Sequence, residues 1–316
     1  MNRLRASYRV ILPLVLTFYM SVFLLNASEV AAGKNIRIFA PATPSSIPLF
    51  LAAKSLGNVD FHFFSNHSQA HALFLKDDVR ILSTGLSVGV RLFRRNIPIC
   101  IISTYVTGMS YLVTRGNKIS GFRDLAGEIL YLPFRGCPIE EITKIFIERE
   151  GLKWNRDIMI GYCEPAFSQK MLENKRIFAA VLPEPFASMS TAAPENFISL
   201  SYRDLWEKYT GGSNGYPQIG IFTKRSWAYE HKSLINQLNR HLSQAVEEVR
   251  CDPERYAHQL TTEMNCPPGI LLSALRNTQF TSMSCRQAKA VITTYYQTIG
   301  APLDESFECF FYSDTP

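Results

Sequence analysis

The stretch AAVLPEPFASM, residues 179–189, ends an apolar strand-like run on a charged corner. The run stops at Pro183-Glu184-Pro185, and each proline fixes φ at about −65° and removes an N–H donor. The corner is therefore stiff and holds Glu184 at a fixed height above the end of a sheet. A carboxylate held there could accept hydrogen bonds from a ligand, or it could complement the dipole of the short helix that follows. We predict that a buried strand ends here beside a binding cleft, with Glu184 in contact with the ligand.

The chain on both sides of this corner alternates strands with helices. Such alternation predicts an α/β fold with parallel sheets and crossover helices. Strands are predicted at 35–40, 59–64, 79–84, 97–104, 110–115, 129–133, 158–163, 177–182, 197–201 and 217–224. After Ser226 apolar residues recur at spacings of three and four, which is typical of helices. We predict two α/β units in tandem and a helical tail that covers the first unit, with chain crossings near 105–110 and 222–226.

The first 32 residues have the pattern of a secretion signal. Arginines at positions 3, 5 and 9 precede an apolar run over residues 10–25, and Val30 and Ala32 fit the small residues before a signal-peptidase site. The run is shorter than the roughly 20 residues that span a bilayer. We predict cleavage after Ala32, export to the periplasm, and no lipid anchor because no cysteine follows the cleavage site.

These boundaries divide the chain into a signal peptide and two lobes. The predicted parts are 1–32 as signal peptide, 33–108 plus 224–316 as a discontinuous lobe I, and 109–223 as lobe II. Loss of three arginines and one glutamate with residues 1–32 lowers the formal charge from +6 to +4. A charge this small and scattered argues against a nucleic-acid partner.

The seven cysteines contain no C-x-x-C pair, which argues against a zinc knuckle or a thioredoxin-like site. Cys100 and Cys163 lie in apolar runs and are predicted to be buried thiols. An exported protein can form disulfides. One or two bridges are therefore expected among Cys251, Cys266, Cys285 and Cys309, with pairing that the sequence leaves open.

Small polar residues or a single charge follow four of the predicted strands. Ligands of open α/β sheets collect beyond the carboxyl ends of the strands, where helix N-termini offer free N–H groups. The four strand ends are Thr43-Pro44-Ser45-Ser46, Ser83-Thr84-Gly85, Arg135-Gly136-Cys137-Pro138 and Pro183-Glu184-Pro185. Each residue could be an ordinary helix cap, but convergence of four such ends predicts a polar pocket for an acceptor or anionic group.

Three stretches together resemble the exported substrate-binding proteins of ABC transporters, in the group for nitrate, sulfonate, bicarbonate and thiamine-pyrimidine-precursor uptake. They are AAVLPEPFASM, the segment SYLVTRGNKISGFRDLAGEILYLPFRGCPIEEITKIFIEREGL (110–152) and the segment WEKYTGGSNGYPQIGIF (206–222), with an ending near Glu305-Ser306-Phe307. The resemblance covers nearly the whole chain after residue 32. It implies the type II periplasmic binding protein fold, with two lobes, a two-stranded hinge and a ligand cleft between the lobes.

The resemblance also implies which residues bind the ligand. Its ligand-binding positions are Thr43, Pro44, Ser45, Ser46, Thr84, Gly136, Cys137 and Glu184. The first five would act from lobe I and the last three from lobe II. Apart from the resemblance, Arg135 could neutralise an anionic ligand or could equally face solvent. Cys137 stands where the family usually has Ser, Thr or Gly. Its thiol at a helix N-terminus is either a passive small residue or one with a lowered pKa.

Two other motifs suggest different functions. The segment GLSVG (85–89) matches G-x-S-x-G with Ser87 as a hydrolase nucleophile. The partners that follow it in a triad order are Asp204 with His231, His241 or His258, but the three histidines lie in the predicted helical tail. His67 and His71 are four apart on a predicted helix and could share a metal ion, although no third ligand is evident.

We therefore predict a non-enzymatic, monomeric periplasmic receptor that delivers a small molecule to the membrane subunits of an ABC permease by hinge closure. The ligand would be an organic anion, a sulfonate-like compound or a heterocycle, and no cofactor or metal is expected. The alternatives are a small-molecule enzyme on the same fold, a Ser87 hydrolase, and a solute sensor that docks on a membrane kinase.

Overall fold

The computed structural model describes residues 35–212 and 215–313, and the predicted signal peptide at 1–32 lies outside these ranges. The strands are β1 (Ile36–Pro41), β2 (Val59–Phe64), β3 (Ile81–Gly85), β4 (Ile99–Ser103), β5 (Val106–Gly108), β6 (Ser110–Arg115), β7 (Ile129–Leu132), β8 (Met159–Tyr162), β9 (Ala179–Pro183), β10 (Asn196–Ser201), β11 (Ile219–Lys224) and β12 (Gln279–Phe280). The ten predicted strands are all present, and only the short β5 and β12 were not expected.

The helices follow the strands as the alternation predicts. They are α1 (Ile47–Lys54), α2 (His67–Leu75), α3 (Leu86–Arg94), α4 (Pro138–Arg149), α5 (Pro165–Glu173), α6 (Phe186–Ser190), α7 (Tyr202–Thr210), α8 (Arg225–Glu230), α9 (Lys232–Cys251), α10 (Pro253–Gln259), α11 (Thr261–Met264), α12 (Pro268–Asn277) and α13 (Cys285–Thr298). Short 3-10 turns occupy Pro44–Ser46, Phe122–Leu125 and Glu305–Phe310. None of the helices in the described ranges is both long and apolar enough to cross a membrane.

Two five-stranded sheets and one short ribbon make up the β-structure. The sheet orders are β2-β1-β3-β11-β4 and β10-β6-β9-β7-β8, while β5 pairs with β12. The prediction of wholly parallel sheets is wrong: β11 runs antiparallel to β3 and β4, and β6 runs antiparallel to β9 and β10. Because β6 and β11 receive the chain as it passes between the sheets, no crossover helix constrains them to be parallel.

The pairing of strand β11 indicates where the chain returns from the second lobe to the first. It lies in the first sheet, with Ile221 opposite Ser83 of β3 and Ser103 of β4. This pairing favours a return to the first lobe before Ile219, earlier than the predicted limit at residue 223. The lobe ranges themselves stay a prediction.

The helical tail packs on helices of both sheets, whereas the sequence predicted that it covers the first unit. Helix α9 packs on α1, which follows β1 of the first sheet. Helix α12 packs against α6, which follows β9 of the second sheet, and also against the 3-10 turn Pro44–Ser46. The tail therefore reaches both sides of the molecule, and its contacts with α6 lie beside the Pro183-Glu184-Pro185 corner.

No disulfide forms among the seven cysteines, all of which lie in the described ranges. The bridge expected in the C-terminal part is therefore absent: Cys266 is buried, and Cys251 and Cys309 are exposed. Cys100 is buried as predicted, but Cys163 at the end of β8 is only half-buried.

Candidate functional site

A cavity of about 110 Å³ lies where strand ends of the two sheets meet. The lining on the side of the first sheet consists of Pro41, Thr43, Ser45, His67, Thr84, Gly85, Gln218 and Ile219. The lining on the side of the second sheet consists of Met109, Pro133, Phe134, Cys137, Pro138, Ile139, Glu164, Pro165 and Pro183. The cavity thus lies beyond the carboxyl ends of β1, β3, β7, β8 and β9, where α/β sheets bind ligands.

Four of the predicted ligand-binding residues line this cavity. Thr43 and Ser45 follow β1, and their hydroxyl oxygens lie 2.7 Å apart in a hydrogen bond. Thr84 near the end of β3 is 2 % exposed, and its Oγ1 lies 3.0 Å from Nε2 of His71. The fourth is Cys137, at the N-cap of α4. Hydroxyl groups of the first sheet therefore face the second sheet across the cavity.

Cys137 is the passive member of this set. Its Sγ accepts a hydrogen bond from the Glu140 N–H at 3.3 Å and so caps α4. Burial raises the pKa of the thiol to about 11, and the hydrogen bonds from backbone N–H groups oppose this only in part. A lowered pKa, one of the two sequence interpretations, is therefore wrong: loss of hydration outweighs the helix N-terminus.

Three predicted residues lie outside the cavity lining. Pro44 and Ser46 are buried in the 3-10 turn behind Thr43 and Ser45. Gly136 has φ +71°, and a Cβ there would overlap the Arg91 guanidinium, which donates to the Gly136 carbonyl. That bond joins α3 of the first sheet to the loop before α4 of the second. These residues support the shape of the cleft from behind.

The Glu184 carboxylate also points away from the cavity, although Pro183 lines it. Oε2 accepts from the Ser188 N–H at 3.0 Å and Oε1 accepts from the Ser188 hydroxyl at 2.9 Å. Asn277 Nδ2 at the end of α12 donates to Oε1 at 2.8 Å. Glu184 is 0 % exposed, and burial raises the pKa of its carboxyl group despite these donors. These contacts fit the interpretation in which Glu184 complements the dipole of the helix that follows. Ligand contact by Glu184 stays a prediction that these contacts do not support.

Arg135 likewise does not face the cavity. Its guanidinium lies over the ring of Tyr162, 4.8 Å from the ring centroid, on the second-sheet side. The predicted neutralisation of an anionic ligand therefore has no counterpart in these contacts.

Sequence reasoning missed His67, Glu164 and Gln218 as lining residues. Glu164 follows β8, so the strand-end rule applied to that strand would have found it. Gln218 precedes β11, and its amide accepts from the Met109 N–H at 3.2 Å and donates to Ser110 Oγ at 2.7 Å. Its role depends on the return of the chain to the first sheet, which has no local sequence signal.

His67 and His71 do not form a metal site in this arrangement. Their rings lie 6.1 Å apart, and His71 bonds Thr84. Burial lowers the pKa of His71 to about 4. Within the described part of the chain, no three His, Cys, Asp or Glu side chains cluster as metal ligands would.

The G-x-S-x-G motif lies at the start of α3, but Ser87 is buried rather than presented to a substrate. Its hydroxyl donates to Oε2 of Glu141 on α4, which also accepts from Tyr295. Among the described residues, Asp204 and the three candidate histidines make no hydrogen bond to Ser87. Ser87 therefore joins α3 to α4 and does not form a triad.

We expect Ser87→Ala to lower the free energy of unfolding by about 1–2 kcal/mol, because the half-buried Glu141 carboxylate loses a donor. Hydrolysis of a simple aryl ester should stay at the wild-type background. Urea unfolding and an esterase assay on both proteins measure the two effects. A loss of hydrolysis in the variant would restore the hydrolase interpretation.

Comparison with known proteins supports this architecture through structure and not through sequence. No model of a protein family matches the chain, and no curated protein sequence matches it either. The aliphatic sulphonate binding protein SsuA from Escherichia coli is 16 % identical over 90 % of this chain and 94 % of its own, with a TM-score of 0.69. The ligand-binding component of an ABC-type import system from Staphylococcus aureus, with zinc bound, is 12 % identical over 88 % and 96 %, with a TM-score of 0.68.

The periplasmic nitrate-binding protein NrtA from Synechocystis is also similar, with 10 % identity over 76 % of this chain and 69 % of its own and a TM-score of 0.66. All three similarities extend over most of the chain and so include both sheets. Together with two mixed sheets, flanking helices and a cavity at their facing strand ends, they establish that the chain has the two-lobed α/β fold of the periplasmic binding proteins.

Proposed function

We propose that the protein is a periplasmic solute-binding receptor that delivers a small molecule to an ABC permease. The observation that carries this proposal is the cavity lined by strand ends of both sheets. A ligand there touches both lobes at once, so it binds the closed form better than an open one. That difference in affinity is the free energy that can drive hinge closure.

The connections between the sheets suit such a hinge. The chain passes from β4 through β5 into β6, and it returns before β11. In the closed arrangement the lobes are joined by Arg91 with the Gly136 carbonyl and by Ser87 with Glu141. The predicted signal at residues 1–32 agrees with delivery from the periplasm, and the structural neighbours named above include the ligand-binding component of an ABC-type import system and a periplasmic sulphonate binding protein.

The proposal assigns ligand contact to Thr43, Ser45 and Thr84 from the first lobe and to Cys137 from the second. Filling the cavity should therefore abolish binding without changing the fold. We expect Thr43→Phe to weaken binding of any ligand found by screening at least tenfold, about 1.4 kcal/mol, because the half-buried side chain at 43 borders the cavity.

Isothermal titration calorimetry of Thr43→Phe and of Thr262→Phe, an exposed position on α11, measures this effect. The control should stay within about twofold of wild type. Equal affinity in the two variants would place the ligand elsewhere. Delivery is tested separately, by uptake of the same ligand in cells with and without the receptor gene. Uptake that does not depend on the receptor would favour a sensor.

A further inference from the structure

Among the described residues that line the cavity, none is a lysine or an arginine. Glu164, exposed at the start of α5, is the one fixed charge among the described lining residues. The nearby arginines are engaged elsewhere, since Arg91 donates to the Gly136 carbonyl and Arg135 lies over Tyr162. An anionic ligand would lose hydration here without gaining a counter-ion, which is costly.

Helix N-termini around the cavity do not replace the missing positive charge. An oxyanion bound at a helix N-terminus needs backbone N–H groups without other acceptors. Acceptors of the protein already bind amides of these helices: the Asn66 side chain at α2, the Gln218 carbonyl at α3 and Cys137 Sγ at α4. Helix α5 begins with Pro165, which has no N–H. One amide of each of these three helices is thus bound by an acceptor of the chain itself, which leaves fewer amides for an anion than the strand ends predicted.

His67 instead offers the ligand an acceptor in the neutral tautomer that carries its proton on Nε2. Burial lowers the pKa of its imidazole, and the nearby Glu164 carboxylate opposes this only in part, so the ring is neutral at pH 7. Its Nδ1 atom is buried and has no hydrogen-bond partner among the described residues. Buried polar atoms without partners are uncommon and costly, and an N–H group of a ligand would satisfy this one.

Phe134 completes an aromatic corner beside this atom. Its ring centroid lies 5.9 Å from that of His67, at an angle of 45° between the ring planes. The remaining walls are mostly apolar and include Met109, Ile139 and Pro183. A cation against the face of an aromatic ring gains attraction that increases as water is excluded.

We infer that the ligand is a compact organic monocation, an ammonium or amidinium group on an apolar body no larger than about one ring. This inference rests on the proposed receptor function and deepens it. Glu164 pairs with the positive charge at the mouth, His67 Nδ1 accepts from a ligand N–H, and Phe134 packs against the cationic end. The volume of about 110 Å³ is smaller than the roughly 150 Å³ of a cavity that holds benzene, so one ring is the upper limit for the enclosed body and the charged group lies at the mouth.

Three probes with the same phenyl ring test the charge preference: benzylammonium, benzyl alcohol and benzoate. We expect calorimetry at neutral pH to show benzylammonium binding at least tenfold more tightly than benzoate, with benzyl alcohol between them. Raising the salt concentration should weaken benzylammonium most, because the mouth carboxylate is exposed and screened.

The variant Glu164→Gln assigns the preference to one carboxylate. Its affinity loss with benzylammonium should exceed its loss with benzyl alcohol by about tenfold. Glu173→Gln is the matched control, because it makes the same change at the exposed far end of the same helix, outside the cavity lining. It should leave the order and the affinities of the probes within about twofold.

The outcomes separate this inference from the receptor proposal. Preferential binding of benzoate, or no binding of benzylammonium up to millimolar concentration, overturns the cation inference. If a ligand of another class binds and Thr43→Phe abolishes that binding, the receptor proposal stands and only the cation inference is overturned. Equal losses in Glu164→Gln and Glu173→Gln would also overturn the assignment to Glu164.

Discussion

Replacement of Gly89 by alanine is expected to destabilise the protein by about 1–2 kcal/mol. Gly89 lies in α3 directly against Phe222 of β11, and a Cβ at this position would overlap the Phe222 ring. Phe222 is 1 % exposed and also packs near Phe310, 6.1 Å between ring centroids, so the ring has little room to move. Either the helix must shift from the first sheet or the ring must leave its place in the core.

Two opposing effects decide the sign of this change. Alanine favours a helix over glycine by about 1 kcal/mol. Overpacking of a well-filled core costs roughly 1–3 kcal/mol and occasionally more, and here the overlap is with a ring rather than with the end of a flexible side chain. We expect the steric cost to exceed the helical gain.

Gly269→Ala is the matched control for this prediction. Gly269 lies in the first turn of α12, is exposed, and has open space where a Cβ would be added. This variant should be neutral or more stable by up to about 1 kcal/mol. Urea unfolding of both variants gives the comparison, and a Gly89→Ala protein as stable as wild type would contradict the packing described here.

A second substitution tests the cause. Phe222→Leu alone should cost stability by removing core volume, but in the Gly89→Ala background it should cost less or restore stability. The coupling between the two sites then has the sign of relieved overlap. Such coupling would also explain the last glycine of the GLSVG motif by packing, without a nucleophile.

Four residues that the strand-end rule named line the cavity, and their role in ligand binding stays a prediction. Thr43, Ser45, Thr84 and Cys137 line the cavity because parallel strands bring their carboxyl ends to one edge. Apolar residues mark these strands in the sequence, although β1 contains the exposed Arg37 and β7 begins at the exposed Ile129. Local pattern was sufficient because each residue's position follows from the strand immediately before it.

The failures concern contacts between distant parts of the chain. The partner of Glu184 in α12 is Asn277, 93 residues later in the chain, and no local sequence pattern near either residue predicts this contact. Strand β11 was recognised as a strand, but its Ile221 pairs with Ser83 of β3, 138 residues earlier, and with Ser103 of β4, 118 residues earlier. The direction of such pairing leaves no local pattern in the sequence. The burial that raises the pKa of Cys137 also depends on the assembled cleft.

Replacement of Glu184 by alanine is expected to destabilise the protein by roughly 2–4 kcal/mol and to leave ligand affinity within about twofold. The carboxylate accepts from the Ser188 N–H, the Ser188 hydroxyl and Asn277 Nδ2 in a fully buried place. Alanine leaves these donors without an acceptor, which outweighs relief of the desolvation of the charge. If Glu184 contacted the ligand, as the sequence suggested, the reverse would be expected: Glu184→Ala would bind more weakly and would be as stable as wild type.

The control for Glu184→Ala is Glu195→Ala, which breaks an exposed ion pair with Lys175, 2.6 Å between Oε1 and Nζ. Exposed pairs contribute little, so this variant should change stability by less than about 1 kcal/mol. Thermal unfolding measures stability, and calorimetry with a ligand from the cavity screen measures affinity. A stable Glu184→Ala protein that no longer binds would return Glu184 to the binding site.

The variant Glu184→Gln tests the charge of this side chain separately from its shape. The measurement is how the free energy of unfolding depends on pH. Burial raises the pKa of Glu184 in the folded state, so the folded protein holds this proton to a higher pH than the unfolded chain does. Stability contributed by the group is therefore full below the unfolded pKa of about 4.3, decreases as pH rises towards the raised folded value, and is constant above it.

Glutamine keeps an acceptor for Ser188 or Asn277 but cannot titrate, so the variant should lose less stability than alanine does. Its free energy of unfolding should also decrease less than that of wild type over this interval. Part of the wild-type decrease should remain, because burial raises the pKa of Glu141 in the same direction. An identical decrease in wild type and Glu184→Gln would mean that Glu184 titrates normally and that the corner is open to water.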